Sequence, residues 1–359
     1  MTEEVTRMAR LKGFETHRVL ILDFGAEKGR DAIRSLVRSL LDLGDVADDA
    51  VATRAVANAL QTGIIDSDQT VFLNGLLGLA QPPELRSLHT AMDNARRNQG
   101  LGETAATVVR NISAQKKLLL LIEDVHWAAP MVLQHLAEIV RRISDVPVAL
   151  IMTSRLEGDQ MNDAWKGTIG STPIINVDLR PLRRADAMAL AADFIDTTDK
   201  FAASCIERAD GNPLFLEQLL RGAETAAQTA VPGSIQSLVQ ARVDALEPAD
   251  KAAIQAAAIL GQRFALETLQ HLIENPTYDF RRLMERHLIR SDGDAFLFAH
   301  ALVREGVYNS LLTAKRSALH RAAADWYETR DVILHAQHLD LAEEKSAAAA
   351  YLNAAQSQA

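Results

Sequence analysis

The chain of 359 residues carries 48% hydrophobic side chains, a formal net charge of -9 and one cysteine. That length supports two or three domains with cores of their own, a single cysteine excludes an internal disulfide and points to a reducing, cytoplasmic compartment, and the acidic balance argues against a general nucleic-acid binder. No apolar run is long enough to span a bilayer, the amino terminus is charged rather than signal-like, and a low aromatic share of 5% beside abundant alanine favours packed helices over a β-sandwich.

Residues 2 to 13 carry an amphipathic helical pattern and lead into a short buried strand, Arg18 to Phe24 (RVLILDF). A chain that opens on a helix running into a core strand reads as cut. The segment GAEKGR, Gly25 to Arg30, lies between that strand and a helix, where phosphate loops sit. It does not meet the requirement G-x-x-x-x-G-K-[ST], because Gly29 is followed by Arg30 and Asp31, and it reads as a plain turn. No other stretch of the chain carries that pattern.

Helices are predicted over 31 to 42 and 48 to 61, then from the Gln81-Pro82-Pro83 loop through Asn98, and again from Glu103 to Ala114. Next comes LLLLIEDVHWAAP, Leu118 to Pro130, the segment with the strongest chemical implication. Five apolar residues, Leu118 to Ile122, read as a strand buried on both faces that delivers Glu123 and Asp124 at its carboxyl end. Ligands of open parallel sheets bind at that end. The pattern is the Walker B arrangement, in which one carboxylate holds Mg2+ through water and the other orients the attacking water; a core strand ending in a solvated acidic turn is the alternative. Pro130 suits the first turn of a helix through Ile143. A strand from Pro147 to Met152 ends in Thr153, Ser154 and Arg155, and a third strand is predicted at Ile174 to Val177.

Strands alternating with helices through residue 180 imply a parallel sheet covered on both faces. Beyond it the chain reads as helical: 185 to 196, 199 to 209, 213 to 225, then 234 to 246 and 248 to 260 after the turn residues Val231, Pro232 and Gly233. Helices at 265 to 274 and 277 to 287 precede LIRSDGDAFLF, two short strands around Asp292-Gly293, in the outline of a winged helix. Helices at 300 to 312, 315 to 328, 331 to 342 and 345 to 357 complete an α/β then all-α chain.

The stretches DFGAEKGRDAIRSLVRSLL, PPELRSLHTAMDNARRN, LLLLIEDVHWAAP, IMTSRLEGD, GNPLFLEQLL, VPGSIQSLVQARVDAL and FLFAHALVREGVYNSLL together resemble, in order, the ATPase and helical-repeat part of bacterial STAND-type signalling proteins. The likeness is to those that carry a class III adenylate or guanylate cyclase domain upstream. It implies an incomplete P-loop NTPase core over 1–180, a helical lid over 181–230, a winged helix over 231–314 and the start of a tetratricopeptide-like repeat over 315–359. It also implies ATP and Mg2+ as ligands, an output domain or protein partner reached through the repeats, and a nucleotide-dependent oligomer. Glu123 falls at the Mg2+-supporting Walker B position and Asp124 at the catalytic carboxylate, the reverse of the usual Asp-Glu order. His126 and Trp127 fill the family's signature after the acids, with packing at a strand-to-helix corner as the alternative. Ser154 and Arg155 fall at a sensor position near the γ-phosphate, where a surface salt bridge is the alternative for Arg155. Gly211, Asn212 and Pro213 resemble the glycine-x-proline motif that lies against adenine, a helix cap being the other reading. His300 resembles the winged-helix histidine that reaches the phosphates, or else caps its helix.

The same resemblance places a first strand and a P-loop upstream of a helix like residues 2 to 13. Without them the expectation is weak ATP binding and a sheet edge left unpaired. The competing class is a nucleotide-independent interaction or DNA-binding regulator, for which Arg281, Arg282, Arg286 and Arg290 form the densest basic cluster. His335 and His338, one helical turn apart near Asp340 and Glu343, read as a solvated face rather than a metal site. Cys205 lies in a helical pattern with no activating neighbour.

Overall fold

The computed structural model describes residues 2–22, 32–44, 48–155, 159–170, 172–194, 200–223 and 234–357. The segments GAEKGR and Val231-Pro232-Gly233, and the expected strand end at Asp23-Phe24, lie outside them. Two compact units make up the chain, the first ending at Ile175 and the second running on from Asn176.

In chain order the first unit contains α1 (Thr2–Leu11), β1 (Phe14–Leu20), α2 (Ala32–Leu40), α3 (Asp49–Gln61), α4 (Thr70–Leu77), α5 (Pro83–Ala91), α6 (Asn94–Ser113), β2 (Lys117–Glu123), α7 (Pro130–Arg142), β3 (Val148–Met152) and α8 (Asp163–Thr168). The three strands form one parallel sheet in the order β1-β2-β3. In it Leu20 pairs with Glu123 and Ile122 with Met152, so the carboxyl ends of all three strands are level. The central place of β2 explains its sequence: with a strand on each side and both faces covered, Leu118 to Ile122 are all at most 2% exposed. One face, with Val19, Leu118, Leu120 and Ile122, packs into a single core with α2, α6 and α7. Burying each such side chain contributes roughly 1.5–3 kcal/mol, which anchors the strand carrying the acids in the core.

Four sequence expectations are corrected here. The first strand begins at Phe14 rather than Arg18, because its pairing with β2 starts there: Glu15, on the face of His17 and Val19, bonds Lys116, and Arg18, on the other face, bonds Glu123. Helix α4 was not anticipated: Val71 to Asn74, Leu76 and Leu77 are buried nearly all round, so no amphipathic period marks it. Helix α6 runs unbroken from Asn94 to Ser113, where one helix ending at Asn98 and another beginning at Glu103 are expected from the sequence. A Cβ on Gly100 would meet Phe72 Cε1 at 2.2 Å and one on Gly102 would meet His135 Cδ2 at 2.8 Å, so both glycines serve close packing. Finally, Ile174 to Val177 is not a strand. Among the described residues β3 pairs with β2 alone, and Ile174, Ile175 and Val177 stand at 41%, 87% and 73% exposure.

The second unit contains α9 (Arg184–Ala192), α10 (Lys200–Ala209), α11 (Pro213–Ala223), α12 (Ile235–Asp244), α13 (Pro248–Leu260), β4 (Arg263–Ala265), α14 (Leu266–Leu272), α15 (Arg281–Glu285), β5 (Ile289–Asp292), β6 (Ala295–Phe298), α16 (Ala301–Ser310), α17 (Thr313–Tyr327), α18 (Val332–Leu341) and α19 (Ala347–Ser357). The strands pair antiparallel in the order β4-β6-β5. The hairpin read from Asp292-Gly293 is present, with Asp292 opposite Ala295 and Gly293 at φ +59°. Phe264, Phe280, Phe296 and Phe298 cluster beneath it. Cys205 is buried and unoxidised in α10.

His338 does not lie on a solvated face. Its Nδ1 is 2.9 Å from His320 Nδ1, and both rings are fully buried where α17 packs on α18. Tyr308 Oη reaches His320 Nε2 at 3.0 Å, and the Tyr327 ring stacks on His338. The helical period alone does not distinguish which face of α18 meets a neighbour.

Candidate functional site

At the end of β2 the chain turns sharply. Asp124 adopts the left-handed conformation, φ 60° and ψ 42°, and a single 3-10 turn, Val125–Trp127, follows before Pro130 opens α7. Such a conformation is costly for most L-residues and least so for Asn and Asp, so an aspartate is suited to the corner. Three hydrogen bonds with one residue, Thr153, just past the end of the neighbouring strand β3 fix it. The Thr153 N–H donates to Ile122 O at 3.0 Å, the Val125 N–H donates to Thr153 O at 2.9 Å, and the Asp124 N–H donates to the Thr153 hydroxyl at 3.1 Å. On the other side the Ile21 N–H donates to Glu123 O at 3.0 Å. Both acids thus sit where backbone on either side is pinned.

Their side chains differ in setting. The Glu123 carboxylate, 14% exposed, accepts from Nε of Arg18 on β1, two residues back along the paired strand. Asp124 is half-buried at the corner. Ser154 Oγ lies 3.1 Å from Asp159 Oδ1, and the Arg155 guanidinium is 5.9 Å from the centre of the Trp127 ring, a cation–π distance. Trp127 is 41% exposed, and its ring centre is 4.9 Å from that of His126, whose carbonyl accepts from Gln160 Nε2 at 2.8 Å. Glu123, Asp124, Ser154 and Arg155 are therefore brought to one end of one sheet.

Among the described residues no group of three or more His, Cys, Asp or Glu is placed to hold a metal. A divalent magnesium site does not require one: it takes one or two carboxylates, with waters and substrate phosphates completing the octahedron. The Glu123–Asp124 pair fits that donor set, provided Glu123 leaves Arg18.

The remaining residues singled out in the sequence belong to the second unit. Gly211 stands at φ +75°, where a Cβ would come within 2.8 Å of Leu182 O, and its carbonyl accepts from the Leu182 N–H at 2.7 Å. Asn212 caps α11, its Oδ1 accepting from the Phe215 N–H at 3.1 Å, and Pro213 takes the first helical position. His300 caps α16, its Nδ1 accepting from the Leu302 N–H at 3.2 Å, which leaves the ring proton on Nε2. The capping geometries are present in both places. In the basic cluster, Arg281 pairs with Asp279 at 3.6 Å and Arg282 lies 3.9 Å from Asp250. Sequence reasoning named Thr153 and Arg18 only as strand ends; their contacts with Asp124 and Glu123 depend on strand register, which the linear pattern does not carry.

Comparison with known proteins agrees with this architecture. No family model matches the chain. A curated relative, an uncharacterized protein of Rhizobium meliloti (strain 1021), is 28% identical over 264 residues, covering 62% of this chain and 24% of the relative. Among solved structures, the chain is similar to a signal transduction ATPase with numerous domains (STAND) from Pyrococcus horikoshii that has a tetratricopeptide repeat sensor. The TM-score is 0.51 at 15% identity, covering 94% of this chain and 47% of that one. The chain thus spans about a quarter of the curated relative and about half of the solved structure. What the structural likeness establishes is the fold, a P-loop ATPase type of α/β core continued by helices.

Proposed function

We propose that this chain is the nucleotide-switch portion of a STAND-type signalling ATPase, with its Walker B half intact. The observation that carries the reading is the corner after β2: a left-handed Asp124, pinned by Thr153, at the carboxyl end of the central strand of a parallel sheet. Glu123 would hold Mg2+ and Asp124 would orient the attacking water. Ser154 and Arg155 contact the γ-phosphate side. Mg2+, when bound, neutralises charge on the phosphate oxygens. By the resemblance, Gly211, Asn212 and Pro213 of the second unit are assigned to the adenine and His300 to a phosphate. The chain is divided as a core over 1–180, a lid over 181–230, a winged helix over 231–314, supported by the β4-β6-β5 order, and a tetratricopeptide-like start over 315–359. Nucleotide state biases the packing of these parts and so an output domain, in the cyclase-associated members a cyclase.

The 359 residues contain no G-x-x-x-x-G-K-[ST] segment. Each charge-assisted bond that such a loop supplies is worth roughly 1.5–3 kcal/mol, and micromolar affinity amounts to about 8 kcal/mol. Removing two or three of those bonds leaves roughly millimolar binding. Titration of Mg-ATP into the purified chain tests this directly: weak or undetectable heat is expected, and low-micromolar binding overturns the reading of the chain as lacking its phosphate loop.

A further inference from the structure

β1 is an outer strand of the parallel sheet, with β2 as its one neighbour among the described residues. Across that pair the Ile21 N–H donates to Glu123 O, and backbone direction alternates along a strand, so the N–H and C=O groups of His17 and Val19 turn towards β2 while those of Thr16, Arg18 and Leu20 turn outward. No described residue takes up those outward groups. Beside them, between β1 and α1, runs a groove of about 520 Å3. Thr16 and Arg18 line it from the strand, and Glu3, Arg7 and Arg10 line it from α1, at a spacing of four and then three that puts them on one helix face. Arg10 Nε donates to the Thr16 hydroxyl at 3.1 Å, and no carboxylate pairs with Arg10 among the described residues. Arg7 pairs with Glu4 at 2.5 Å, both side chains being more than half exposed, and Arg18 bonds Glu123. Three guanidiniums therefore border the groove, whose wall carries one acid, Glu3.

An open sheet edge takes up a further strand through its main-chain groups, and every second side chain of the added strand then faces the same way, here towards α1. Charged side chains along an edge deter indiscriminate pairing. Arginines deter a neutral or basic strand and attract one whose alternate side chains are acidic. Arg10 has no carboxylate to give up, and an exposed ion pair contributes little, so Arg7 can exchange Glu4 for an incoming carboxylate. A second copy of the chain is a poor occupant, because pairing about a two-fold axis sets the same arginine-lined surface against itself.

We propose that the open edge of β1 and the groove beside it bind an acidic segment of a partner protein in extended form, its backbone paired with Thr16 and Arg18 and its alternate carboxylates set against Arg7, Arg10 and Arg18. The probe is an end-capped octapeptide alternating Glu and Thr, titrated calorimetrically into the full chain, with amide hydrogen exchange as the second readout. Saturable binding is expected, weakening as salt is raised, with slowed exchange at the Thr16 and Arg18 amides. Two N-methylated peptides, one blocked at the Glu nitrogens and one at the Thr nitrogens, separate strand pairing from charge attraction: one set of N–H groups faces β1, so one of the two peptides should lose binding. R10Q should weaken binding about twofold to fivefold, while R54Q, at an exposed position of α3, should not. D124N should leave it unchanged, which separates this surface from the nucleotide reading. The proposal is overturned if millimolar peptide gives no saturable heat, if both N-methylated peptides bind as the parent does, if R54Q acts like R10Q, or if a dimer of the chain protects the same amides without peptide.

Discussion

Replacing Thr153 by valine isolates the contact that fixes the corner after β2. Valine keeps the β-branched shape that a strand end accommodates, while the acceptor 3.1 Å from the Asp124 N–H disappears. A fully buried donor left unsatisfied costs roughly 1–3 kcal/mol. Asp124 is half-buried, so the lower end applies, about 1 kcal/mol, or roughly 2–4 °C in Tm for a unit of this size. The backbone bonds of Thr153 with Ile122 and Val125 survive, so the sheet itself should hold. The measurement is urea unfolding followed by tryptophan fluorescence in a W326F background, in which Trp127 and Trp165 of the first unit report. T153V should lower the midpoint without changing the slope, and T153S, which retains the hydroxyl, should restore it. A T153V protein as stable as the parent, or a T153S protein as damaged as T153V, would refute the assignment of the hydroxyl as the fastener of Asp124.

The remaining predictions concern packing, charge and pH. G100A sets a helix-propensity gain of about 1 kcal/mol against a clash at 2.2 Å with the nearly buried Phe72 ring, whose relief costs roughly 1–3 kcal/mol; net destabilisation is expected, whereas G167A, with nothing within 4 Å, should be neutral or stabilising, and equal effects would contradict the packing account. R18Q removes a half-exposed ion pair worth about 0–1 kcal/mol and should leave stability nearly unchanged while strengthening Mn2+ binding measured by electron paramagnetic resonance, since Glu123 no longer has a competing cation; weaker binding would count against it. His320 and His338 are both held well below the ordinary imidazole pKa by burial first, then by Arg304 and Arg316 for His320 and by His320 and His335 for His338. Because the unfolded chain binds these protons more readily, stability is fully present above about pH 6.5 and is lost as pH falls below it, by up to about 1.4 kcal/mol per pH unit for each ring; H338L should flatten that slope in pH-dependent denaturation, and an unchanged slope would show that carboxylates dominate.

How much of this was legible in the sequence depended on whether one element alone carried the signal. β2 was readable because a central strand buried on both faces must be apolar without interruption, and α7 because Pro130 suits a first turn. The hairpin at residues 289 to 298 was readable because Asp292-Gly293 supplies the turn chemistry. α4 was not, since burial all round erases the helical period, and the continuity of α6 across Gly100 and Gly102 rests on the close approach of Phe72 and His135, which the linear sequence does not carry. The Ile174 to Val177 run has strand composition, yet composition does not supply a hydrogen-bonding neighbour. That Glu123 and Asp124 stand at the carboxyl end of β2 followed from the apolar run before them, whereas Arg18 meets Glu123 across 105 residues of chain. The His320–His338 pair was hidden in the same way, by a helix face whose partner is another helix.

The central claim is that Glu123 and Asp124 form a Walker B corner whose phosphate loop is not among these residues. Its most direct test is calorimetric titration of Mg-ATP into the chain extended ahead of Thr2 by an apolar strand and a G-x-x-x-x-G-K-[ST] loop. Micromolar binding should appear, and its Mg2+ dependence should weaken with E123Q. An extended, folded chain that binds no better than the original, or whose binding ignores E123Q, would contradict the account.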